Sequence, residues 1–189
     1  CAGKNRVARV LERAGFAILD LDAVGHQALE EERPALEALF GARILDEAGH
    51  VDRARLGALT FSDPGLLAAL EAIVHPRVNR ISAEWLDAQR GPVVLNAALL
   101  HRSAFFHSLD ALIIVRAPFL VRLLRARRRD HLSWRALLAR FRAQRHFNAH
   151  YFSQKADTFI VSNGTFLHPR GNDAALEQRL RDLCAHFSK

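Results

Sequence analysis

A layered α/β domain with parallel strands is the fold class predicted by this 189-residue chain. Short runs rich in β-branched residues alternate with longer stretches of helical period. Those runs are continuously apolar, as strands covered on both faces are, and do not show a two-residue alternation. Half of the residues (50%) are hydrophobic, enough to fill one proper core, so two independent domains are not called for.

Taken in order, Lys4–Ala14 reads as a helix with Val7, Val10, Leu11 and Ala14 on one face and Gly15 where a C-cap belongs. Phe16–Asp20 follows as a short buried strand that ends in acidic residues. Pro92–Ala97, Ala111–Arg116 and Thr158–Ser162 are the other strands. Between the first two strands, Ala23 to Arg90 has no strand signal. It reads as helices near Val24–Glu31, after Pro34, over Arg53–Leu59, and from Asp63-Pro64. At the last of these, Asp is an N-cap and Pro takes the first helical position. His75-Pro76 is expected to kink or break that helix. Too long for a simple crossover, residues 23–90 predict a helical insert, with 1–22 and 91–189 forming the core. A final helix is expected from Asn172 to His186, after an Asn163-Gly164 turn.

Lys and Arg total 27 against 20 Asp and Glu, a net charge of +7, which favours polyanionic partners such as nucleic acids, membranes or polyphosphate metabolites. Arg122, Arg125, Arg127, Arg128 and Arg129 crowd one segment, equally readable as a solvated helix face. The apolar stretch Ala111–Leu124 is broken by Arg116 and Arg122, so no membrane span is expected. Cys1 and Cys184 cannot build a disulfide framework, which makes a reducing cytoplasm the expected compartment. The chain contains no methionine, and on that ground it is expected to continue before Cys1.

Two short motifs carry chemistry. Cys1-Ala2-Gly3-Lys4-Asn5 runs directly into a helix, as the tail of a phosphate-binding loop does. There, backbone N–H groups and the helix N-terminus hold phosphate oxygens while the lysine offsets β/γ-phosphate charge. Asp20-Leu21-Asp22 ends the first strand, the edge of an open α/β sheet at which ligands bind. A carboxylate there can take a proton from an attacking hydroxyl or help to hold Mg²⁺, and Asp22 equally suits the N-cap of the next helix. His146 and His150 have the i, i+4 spacing of a helical metal pair but no third ligand, so surface histidines are the simpler reading.

The order of these features resembles the dephospho-coenzyme A kinase family. The resemblance runs through Gly3-Lys4, Asp20-Leu21-Asp22 with His26, Val74-His75-Pro76, Leu95-Asn96-Ala97-Ala98-Leu99-Leu100, the arginine-rich Arg125–Asp130 and Ile160-Val161-Ser162-Asn163-Gly164. It implies a P-loop NTPase-like three-layer fold with a parallel sheet, a helical insert and a helical lid over residues 122–155. It also implies ATP and dephospho-coenzyme A as substrates, with Mg²⁺ as cofactor. Cys1, Ala2, Gly3, Lys4, Asn5, Arg6, Arg125 and Asn163 would bind ATP. Asp22 would be the general base, with Lys4 and Arg129 also in the catalytic set, and Asp20, His26, His75 and Pro76 on the acceptor side.

The chain departs from the family pattern in places. Asn5 stands where the family has Ser or Thr as the Mg²⁺ ligand, Ala98 replaces a proline, and His101-Arg102 replace Phe-Glu. A P-loop fold places a central strand before its loop, which agrees with a chain extending before Cys1. Two other readings stay open: a nucleoside monophosphate-type kinase, and a catalytically weakened P-loop protein that binds nucleotide or nucleic acid. The resemblance disfavours nucleic acid as a partner and leaves oligomeric state undetermined.

Overall fold

The structure of the chain, a computed structural model, describes residues 2–61, 63–130, 134, 137, 157–163 and 173–187. It separates into two compact units, one of residues 1–16 with 101–189 and the other of residues 17–100.

The second unit starts with β1 (Ala17–Asp20), which pairs in parallel with β2 (Val93–Asn96). The register sets Leu19 against Leu95 and Asp20 against Asn96, so two polar side chains share the carboxyl ends of neighbouring strands. Between these strands come α2 (Leu21–Glu31), α3 (Arg33–Phe40), α4 (Arg53–Phe61) and α5 (Pro64–Asp87). Local chemistry sets their ends. Asp20, Asp52 and Asp63 each accept backbone N–H groups from the first turn of the helix that follows. Gly41, at φ +77°, stops α3 in a conformation that side chains rarely adopt.

These helices close over one apolar cluster of Ala28, Leu36, Phe40, Ile44, Val51, Leu56 and Val74. Of the kink or break expected at His75-Pro76, the structure excludes the break. The helix from Pro64 spans 24 residues and continues to Asp87 with Pro76 inside it. Proline removes one helical hydrogen bond and costs ~3 kcal/mol. Leu66, Leu70 and Ile73 before it, and Val78 after it, all pack on the same cluster, and their burial offsets that cost.

In the first unit, α1 (Lys4–Arg13) buries Val7, Ala8, Val10 and Leu11. Strand β3 (Leu112–Arg116) pairs in parallel with β4 (Thr158–Ser162). Helix α6 (Phe119–Asp130) buries Val121, Leu123 and Ala126, and α7 (Asp173–Phe187) buries Leu176 and Leu180. The strands are less fully covered than their apolar runs predict, because Val93 and Ile160 are exposed. Among the described residues, no helix is long and apolar enough to cross a membrane.

Leu36 is wholly buried in the helical cluster. Leu36→Ala is expected to cost ~2–5 kcal/mol of stability, read from the urea unfolding midpoint at unchanged slope.

Candidate functional site

In the first unit, the candidate residues gather around Gly3. Gly3 has φ +99° and ψ 33°, a left-handed conformation, and stands as the N-cap of α1. A β-carbon at this position would lie 1.8 Å from Asn163 Nδ2 and 3.1 Å from its Cγ. Both the backbone angle and the space therefore demand glycine.

Asn163 occupies the room that the missing side chain leaves. It follows β4, and its backbone N–H donates to the Arg116 carbonyl at 2.7 Å. Its side chain is almost fully buried, donating from Nδ2 to the Ala2 carbonyl at 2.9 Å and accepting from Arg6 Nη1 at 2.9 Å. Arg125, at the end of the second turn of α6, donates to the same Ala2 carbonyl at 3.3 Å. Burial pulls the Arg125 guanidinium below its ordinary value, and the neighbouring charge of Arg6 adds to the effect. The result is a loop backbone fixed from two sides and flanked by two guanidinium groups, at the amino end of a ten-residue helix. Such an arrangement favours a bound anion.

Lys4 and Asn5 open α1, with Lys4 Nζ donating to Asn5 Oδ1 at 2.9 Å. The Asn5 carboxamide is an oxygen donor on an exposed side chain. It suits Mg²⁺, which takes few protein oxygens and completes its shell with water and phosphate. Among the described residues, no cluster of three or more His, Cys, Asp or Glu could hold a metal by itself.

In the second unit, the acidic pair divides its tasks. The N-cap of α2 is Asp20, whose Oδ1 accepts from the Asp22 N–H at 3.0 Å; Asp22 does not fill that role. Asp22 instead lies in the first turn of α2, where the helix macrodipole favours a carboxylate. Its Oδ1 accepts from the backbone N–H of Ala98 at 3.3 Å. A proline at position 98 could not donate this bond, so the departure at Ala98 gives the carboxylate an additional partner. The largely buried Asn96 reaches Asp20 Oδ2 at 3.5 Å.

Other candidates are more dispersed. His26 lies one turn beyond Asp22 on α2 and meets Arg53. His75 and Pro76 lie exposed on α5, and Arg129 lies exposed on α6. Cys1, the His146/His150 pair, Gly164 and the lid residues from 131 to 156 other than 134 and 137 fall outside the described residues. Sequence reasoning passed over Asn96 and Arg53. The signal available for Asn96 was a polar residue at the carboxyl end of a strand; Arg53 had none.

A family-wide sequence profile described as CoaE, dephospho-CoA kinase, matches residues 1–167. Curated dephospho-CoA kinases are similar over most of their length. That of Treponema denticola is 32% identical over 175 residues, covering 86% of this chain and 78% of the relative. The Thermus thermophilus protein is 40% identical over 144 residues, 76% and 70% of the two chains. A crystal structure from Thermus thermophilus superposes with a TM-score of 0.77 at 34% identity, covering 98% of this chain and 92% of that one. A dephospho-CoA kinase structure from Campylobacter jejuni gives 0.61 at 24% identity, covering 94% and 91%, and supports the fold. The chain thus shares the P-loop NTPase-like α/β fold of these proteins.

Gly3→Ala is expected to lose at least ~1–2 kcal/mol from the left-handed backbone alone. It should lose more as Asn163 surrenders its two bonds. In urea unfolding, Gly3→Ala combined with Asn163→Ala should be less destabilised than the sum of the single variants. Strict additivity would show that the close approach carries no energy.

Proposed function

Because the chain belongs to the dephospho-CoA kinase family, we infer that it transfers a phosphoryl group from ATP to the ribose 3′-hydroxyl of dephospho-coenzyme A, the last step of coenzyme A biosynthesis. The reading rests most on the Gly3–Asn163 loop at the head of α1, where a left-handed glycine opens the helix between two guanidinium groups.

We assign the ATP phosphates to the backbone N–H groups opening α1, with Lys4, Arg6 and Arg125 supplying positive charge. Asn163 serves by holding Ala2 and Arg6 in place. Phosphoryl transfer asks for positioning and charge rather than covalent chemistry, and such a loop supplies both. Asp22 takes the proton of the acceptor 3′-hydroxyl. The Ala98 N–H fixes one oxygen of this carboxylate, which holds the side chain in position for the acceptor. Asp20 holds the start of α2 in shape for this role.

Mg²⁺, when bound, offsets charge on the phosphates. Among the residues opening α1, Asn5 would hold it through Oδ1, exchanging its bond with Lys4 Nζ for the metal while Lys4 turns to the phosphates. The helical segment 23–90, including His26, His75 and Pro76, is assigned to the acceptor. Arg129 is assigned to the arginine-rich lid, and the reaction to the cytoplasm.

The test is Asp22→Asn, assayed with ATP, Mg²⁺ and dephospho-coenzyme A. General-base loss predicts a fall in kcat of ~10²–10⁴-fold. The KM for ATP should stay within about twofold, because no ground-state contact to ATP is lost. Full activity in Asp22→Asn would remove the residue from the mechanism.

A further inference from the structure

Five arginines of the helical unit have described partners, and four of those arginines meet oxygens. Arg33 donates to the Gly49 carbonyl, Arg43 to the Phe40 carbonyl, Arg55 to the Leu45 carbonyl and Asp52, and Arg77 to Glu31. Arg53 differs. Its Nη1 lies 2.5 Å from Nε2 and 3.0 Å from Nδ1 of His26, and no carboxylate among the described residues is within ion-pair distance. A guanidinium only donates, so the bond falls to whichever of the two ring nitrogens offers a lone pair. An exposed cation is therefore held in position by an imidazole and not by a carboxylate, with no described ion pair to give up when an anion arrives.

Its placement is built. Asp22, His26 and Glu30 follow one another at four-residue steps along one face of α2. Glu30 accepts the Val51 N–H at 3.0 Å and meets His50 Nδ1 at 3.4 Å. The turn before Val51 is closed by the Asp46 N–H to the His50 carbonyl at 2.8 Å and by Asp46 Oδ1, which accepts from Ala48 and His50. Arg33 clamps the same turn at Gly49. The chain then enters α4, where Asp52 caps the helix and Arg53 is its first residue. Glu30 thus anchors the segment that delivers Arg53 to His26, one turn from Asp22.

We propose that Arg53, steadied by His26, binds a phosphate group of the acceptor nucleotide while the acceptor's sugar hydroxyl lies at Asp22. The Cβ atoms of side chains four apart on a helix lie ~5–6 Å from each other, so His26 brings Arg53 to the neighbourhood of Asp22. Arg53 is the acceptor-binding residue and His26 a positioning residue. This rests on the kinase reading above, and it adds the group that distinguishes a phosphorylated acceptor from a bare nucleoside.

The experiment compares Arg53→Ala and Arg53→Lys with the unaltered chain. It measures steady-state kinetics with dephospho-coenzyme A or adenosine as acceptor, and direct titration of dephospho-coenzyme A. Loss of one charge-assisted contact predicts a KM for dephospho-coenzyme A raised ~10–100-fold in Arg53→Ala. Arg53→Lys should recover part of it, since a lysine keeps the charge without the fork. The KM for ATP and kcat/KM for adenosine should stay within about twofold. Three results would overturn the proposal: an unchanged KM for dephospho-coenzyme A, a rise for ATP instead, or equal losses with both acceptors. Thermal unfolding should leave both variants at the parent midpoint; a large fall with parallel losses on all substrates assigns Arg53 to structure. If the unaltered chain binds dephospho-coenzyme A without phosphorylating it, the kinase reading fails. The titration then still decides Arg53: ~10-fold weaker binding in Arg53→Ala upholds it, and equal affinity overturns it.

Discussion

Asn163 can reach the Ala2 carbonyl only because residue 3 has no side chain, and much of the first unit's candidate site depends on that approach. A buried amide must satisfy both ends of its dipole or lose ~1–3 kcal/mol. Here one end is met by the loop backbone and the other by Arg6, so a single side chain ties the end of β4 to the start of α1. Arg125 uses the second lone pair of the same carbonyl, bringing α6 to the loop as well. The cost is concentrated positive charge, expressed in the downward pull on Arg125 from its burial and from Arg6. A polyanion would relieve that cost.

In the second unit, α2 works as a ruler. Asp20 caps it, which releases the Asp22 side chain from the duty that a helix start usually imposes on such a residue. From Asp22 the same face carries His26 and then Glu30, so a carboxylate, a ring and a clamp follow at one-turn intervals. The helix can hold this precision because Leu21, Val24 and Ala28, on its other side, are buried. Exposed ion pairs such as Arg55–Asp52 add little stability by comparison. Their contribution is local geometry, and the apolar cluster carries the fold.

The chain's departures from its family take on physical meaning in this setting. Ala98 contributes a backbone N–H that a proline lacks, and Asp22 accepts it. Asn5 offers an amide oxygen that accepts from Lys4 where the family has a hydroxyl. Both changes lie beside residues assigned to chemistry, and both act through a single hydrogen bond.

Read alone, the sequence determined the alternation of elements. It also placed Gly3-Lys4 before a helix, the acidic pair at the end of β1 and the Asp63-Pro64 start of α5, because caps, periodicity and proline act within a few residues. It could not exclude a break at Pro76, whose local penalty is outweighed by apolar contacts made by residues on either side of it. It could not decide which of Asp20 and Asp22 caps α2, since either suits the position and only the backbone path selects one. Nor could it pair Gly3 with Asn163 or Arg53 with His26, which lie 160 and 27 residues apart along the chain. Those meetings belong to the tertiary structure, because no short-range preference reaches that far.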